Sequence, residues 1–63
     1  MALYLLSKLK PGLAYEVVSF DKAKHTAVLR DSTGALMTDI RFYIDIIRRC
    51  YDLTDQRPAP LKE

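Results

Sequence analysis

With 63 residues the chain is long enough for one domain with one small core. Chains of this size bury only about 60% of the surface they expose when unfolded, and disulfides, a metal or self-association usually supply the missing stability. Cys50 is the single cysteine and His25 the single histidine, which excludes an internal disulfide and a structural zinc site of roughly four ligands; self-association is left as the expected helper.

Ten Lys and Arg against eight Asp and Glu give a formal charge of +2. That balance permits attraction to nucleic acid or to an anionic surface without demanding it. The apolar run of residues 1–6 is soon followed by Lys8, Lys10 and Pro11-Gly12. It falls far short of the ~18 apolar residues of a membrane span and lacks the basic leader of a signal peptide. Together with the lone thiol, this predicts a reducing cytoplasm and no membrane partner.

Residues 2–7 mix aromatic and aliphatic side chains and end at Lys-Pro-Gly, which favours a lead-in strand. Pro11-Gly12 is a turn, Pro presetting φ and Gly accepting a positive one. Residues 15–20 are rich in β-branched and aromatic side chains, suited to a pleated, half-buried surface. They run into Asp21-Lys22-Ala23-Lys24, a connector of hairpin length. Residues 26–30 form the return strand, with Ala27 and Leu29 on one face and Thr26, Val28 and Arg30 on the other. Asp31-Ser32-Thr33-Gly34 carries Asp first and Gly fourth, the type I turn preference, and residues 35–38 read as a further short strand.

Residues 39–53 fit two periods. At helical spacing Arg41, Asp45, Arg48, Arg49 and Asp52 share one arc and nine apolar side chains fill the rest, with Thr38 or Asp39 as N-cap. At strand spacing Ile40, Phe42, Ile44 and Ile46 face one side, and the isoleucines favour that state. The compromise is a short helix within 40–48 and a short strand over 49–53. Residues 1–53 then make the domain, and residues 54–63, with Pro58 and Pro60, a flexible C-terminal tail.

The order Pro11-Gly12, Tyr15-Glu16-Val17-Val18, polar loop, Ala27-Val28-Leu29, Asp31 to Gly34, helical turn and closing Cys50-Tyr51-Asp52-Leu53 resembles small SH3-like β-barrels. The resemblance spans about residues 9–53 and is one of strands and turns. It implies a mainly β fold, a small antiparallel barrel or meander with a short helix, and a binding scaffold. Such barrels host protein and nucleic-acid binding alike. The alternative is an α+β arrangement, a three- or four-stranded meander packed against a C-terminal helix over 39–53.

No residue pattern asks for catalysis. His25 has no sequence neighbour placed to orient it as a general base and reads as a solvated loop histidine. Cys50, beside Arg48 and Arg49, is a candidate nucleophile, but a lone Cys in an apolar pattern is more often a small buried hydrophobe. No nucleophile elbow or Gly-rich phosphate loop is present. The six aspartates are scattered among turns and polar faces. A non-enzymatic module without metal or cofactor is expected.

Two binding signals remain. Lys22, Lys24 and His25 share one loop and, with Arg30, Arg48 and Arg49, would contact DNA or RNA as an accessory or regulatory protein does. Lys8 and Lys10 would add charge, and Tyr4, Tyr15, Tyr43 or Tyr51 would stack on bases. A charged, solvated surface is the plainer reading of the same residues. The apolar excess after residue 39 is the second signal: Phe42, Ile44, Ile46 and Ile47 would form a homo-oligomer interface, or simply fill the core.

Overall fold

A computed structural model describes residues 2–61. In chain order it contains β1 (Leu3–Ser7), β2 (Ala14–Asp21), β3 (Thr26–Arg30), β4 (Leu36–Arg41), α1 (Ile44–Cys50) and β5 (Tyr51–Thr54). The strands form one antiparallel sheet in the order β4-β3-β2-β1-β5. The expected mainly β class with a short helix is what the chain adopts. The sheet stays open rather than closing into a barrel, because β4 and β5 are its two edges and do not pair with each other. α1 connects those edges, so β5 returns beside β1.

Local chemistry sets the turns. The Asp31 carboxylate accepts from the amides of Thr33 (2.9 Å) and Ala35 (3.0 Å) and from the Thr33 hydroxyl (2.6 Å). The Gly34 amide, at φ 91°, donates to the Asp31 carbonyl at 3.0 Å. Asp21 organises the earlier hairpin in the same way, accepting from the amides of Ala23 and Lys24.

Two bulges interrupt the ladders at one level. Val17 pairs with Leu29 and Ser19 with Val28, leaving Val18 as an extra residue on β2. Ala27 pairs with Ile40 and Leu29 with Met37, so Thr38 and Asp39 together oppose Val28. Asp39 takes φ 57°, a left-handed conformation that aspartate tolerates better than most residues. Each bulge bends its strand and increases the local twist, and both fall against Val28.

The main core lies on the face presented by Leu5, Ala27 and Leu29, with Phe42 buried among them. Ile40 of β4, Ile47 of α1, and Tyr51 and Leu53 of β5 pack around it, so α1 covers one side of the sheet. The observed alternation in β3, Ala27 and Leu29 buried and Arg30 exposed, is the expected one. A second cluster of Tyr4, Ala14 and Leu61, with Leu6 against it, occupies the opposite face.

Two boundaries differ from expectation. Residues 40–41 belong to β4, where Ile40 and Arg41 pair with Ala27 and Thr26. The helix therefore starts later, with Tyr43 rather than Thr38 or Asp39 at its N-cap and no side-chain cap bond. The long helix over 39–53 does not form. At its far end the Lys8 ammonium donates to the Arg48 carbonyl (2.7 Å) and the Lys8 amide to the Cys50 carbonyl (2.8 Å), satisfying carbonyls a helix end leaves open. Residues 54–61 belong to the segment read from the sequence as a C-terminal tail. Pro58 and Leu61 are buried, and the Arg57 guanidinium lies 5.3 Å from the centre of the Tyr4 ring. The tail supplies the cover that the second face needs. Lys62 and Glu63 lie outside the described residues.

Candidate functional site

A largely apolar concavity sits where the β2–β3 hairpin meets the start of α1. His25 ends the hairpin loop at φ 53°, and its carbonyl accepts from the Phe42 amide at 2.8 Å. That bond joins the loop to the last residue before Tyr43. The His25 imidazole then lies flat against the Tyr43 ring, centroids 4.7 Å apart and planes 15° from parallel. Phe42, only 1% exposed, forms the floor. Phe20 leans against it at 5.2 Å between ring centres, and Ile44 completes an apolar wall.

The resulting cleft has a volume of about 310 Å³. Phe20, Tyr43 and Ile44 are all partly open to solvent there, Tyr43 by 42%. Two charged side chains of opposite sign reach it, Lys22 from the hairpin and Asp45 from the first turn of α1. Among the described residues neither has an ion-pair partner.

The other residues singled out in the sequence fall elsewhere. Lys24 borders a separate polar depression with Ser19, Asp21, Thr38 and Asp39. Arg30 is drawn to Glu16 at 3.4 Å, and Arg57 approaches the same carboxylate at 4.0 Å. Arg48 and Arg49 are exposed on the last turn of α1 and do not line the cleft. Lys8 is committed to the helix end and lies 3.8 Å from Asp52.

Of the four candidate interface residues, Phe42 is core and presents nothing to a partner; Ile47 packs half-buried against that core. Ile44 and Ile46 are exposed, Ile46 by 58%. Cys50 is half-buried beside Tyr15 and Tyr51. Burial, reinforced by Tyr15 and Cys50, pushes the Tyr51 phenol up, which keeps it neutral.

Sequence reading missed Phe20 and Asp45. Strict alternation from Val17 places Phe20 on the face away from the core; the extra residue at Val18 reverses that parity and brings it opposite Ala27. The bulge has no Gly or Pro to announce it. Asp45 was legible only as one member of a charged helical arc.

Comparison with protein-family models, with curated proteins and with solved structures returns no match to this chain. Among the described residues no helix is long and apolar enough to cross a membrane, and no three His, Cys, Asp or Glu side chains gather as metal ligands would.

Proposed function

We propose that the chain is a small non-enzymatic binding module that holds single-stranded nucleic acid at the cleft between the β2–β3 hairpin and α1. The observation that carries this reading is the stacked His25–Tyr43 pair beside Lys22, over the Phe42 floor. Single-strand binders combine aromatic faces for bases with cations for the backbone, and each stacked base contributes about 1–3 kcal/mol. Lys24 and the exposed Arg48 and Arg49 extend the cationic surface for a strand that runs past the cleft; Arg30, held by Glu16, does not take part. A reducing cytoplasm suits both this role and the free Cys50 thiol.

The test is fluorescence anisotropy with labelled mixed-sequence single-stranded DNA and RNA at low and high salt. Affinity should fall with salt, because displaced counterions drive phosphate binding. Tyr43→Ala and the Lys22→Ala, Lys24→Ala pair should each weaken binding, while Arg30→Ala should not. Absent or salt-insensitive binding ends the reading.

Ile46 supports a second reading. An isoleucine 58% exposed on α1, in a domain whose sheet has two open edges, suits a homo-oligomeric interaction module. Its mark would be a light-scattering mass that rises with concentration and drops in Ile46→Lys. A monomer at every concentration would rule it out.

A further inference from the structure

Granting the nucleic-acid reading of the cleft, we infer that it seats one unpaired base bearing an amino group, guanine above all, with Asp45 as the residue that selects it. At about 310 Å³ the cleft is at the small end of ligand sites, which run from about 300 to 1,000 Å³, and its apolar walls with a few polar groups have the usual make-up of such sites. It holds one ring system.

The polar groups then define which ring. Lys22 offers donors and positive charge at one side, suited to the phosphate next to the seated base. Asp45 is the anomaly: a carboxylate on a surface meant for a polyanion repels the backbone unless the ligand brings a donor to it. An ionised carboxylate only accepts hydrogen bonds, and among the described residues none of the side-chain hydrogen bonds or ion pairs occupies this one. Guanine presents a ring N–H and an amino group side by side, matching the two carboxylate oxygens. Adenine and cytosine bring one amino group each. Thymine and uracil flank their single N–H with two carbonyls, which set oxygen against oxygen. Hydrogen bonds to an ionised acceptor are roughly twice as strong as neutral ones, so the selection is electrostatic as well as geometric.

The experiment uses the whole chain and ten-nucleotide thymidine strands carrying one central guanine, adenine, cytosine or no substitution, a design that avoids guanine self-association. The single guanine should tighten binding by about tenfold over all-thymidine, within the discrimination that one good base contact gives, with adenine and cytosine between. Asp45→Asn should bring the four strands to within about twofold of one another, whereas Asp55→Asn should leave the order intact; thermal melts confirm that both variants fold. Four equal affinities in the parent chain, or an unchanged order in Asp45→Asn, would overturn the role of Asp45 while leaving the nucleic-acid reading in place. No binding of any strand overturns both. Displacement of bound strands by a pool of tyrosine-containing peptides at lower concentration assigns the cleft to a protein partner and also overturns both.

Discussion

The amide of Phe42 donates to the carbonyl of His25 at 2.8 Å, so the most buried aromatic of the core and the turn residue of the β2–β3 hairpin are held together by one backbone bond. Core packing and cleft geometry are therefore coupled. Phe42 anchors the start of α1 from below, and the adjacent Tyr43 is delivered to the His25 ring above.

Phe42→Ala should cost about 3–5 kcal/mol, the range for removing a buried phenyl ring. A domain of this size has little stability to lose, so that variant should be largely unfolded. Phe42→Leu retains part of the volume and should cost about 1–2 kcal/mol, leaving a folded protein with a loosened cleft. Urea midpoints read by tyrosine fluorescence or circular dichroism check both. Matching midpoints for Phe42→Ala and the parent would remove Phe42 from the core.

The Asp31 turn predicts an acid dependence. The Thr33 hydroxyl is the largest influence; with the weaker help of the Thr33, Ala35 and Gly34 amides it outweighs desolvation and holds the carboxyl below the usual carboxylate range. A folded pKa below the unfolded one means that the contribution is fully present above about pH 4. It is lost as pH falls through the lowered folded value. Asp31→Asn removes the charge and with it this part of the pH response. Thermal midpoints from pH 6 down to pH 2 should fall less steeply in Asp31→Asn than in the parent; parallel curves would show that the turn carboxylate does not respond to protonation.

The strand β3 and the turn at residues 31–34 were legible because their causes are local. Ala27 and Leu29 alternate with the less buried Thr26, Val28 and Arg30, and Asp31 and Gly34 each occupy the position their chemistry favours. The β4–α1 boundary was not, because residues 40–44 satisfy both periods, and what decides is the pairing of Ile40 and Arg41 with β3. Those partners lie thirteen and fifteen positions away. The cleft was half legible: Lys22 and His25 are loop neighbours, but Tyr43 reaches His25 only through the tertiary fold, and Phe20 only through the Val18 bulge.

The segment after β5 carries the last prediction. Leu61, 5% exposed, covers Tyr4 and Ala14 on the face opposite the main core, and the Leu61 amide donates to the Pro58 carbonyl at 3.0 Å to turn the chain inward. Leu61→Ala should therefore cost about 2 kcal/mol, the low end of buried leucine truncations because a segment near the chain end relaxes easily. In a domain of this size that is a fall in Tm of about 8–16 °C. Leu9→Ala, at a leucine 72% exposed, should stay within about 0.5 kcal/mol of the parent and serves as the control. Ending the chain after Thr54 should destabilise it more than Leu61→Ala, because the Arg57 contact with the Tyr4 ring goes too. The cleft lies on the other side of the sheet, so a Leu61→Ala protein below its melting temperature should keep its cleft ligand affinity. If Leu61→Ala melts with Leu9→Ala, residues 55–61 do not hold the second face, and Tyr4, Leu6 and Ala14 become an open apolar surface in their own right.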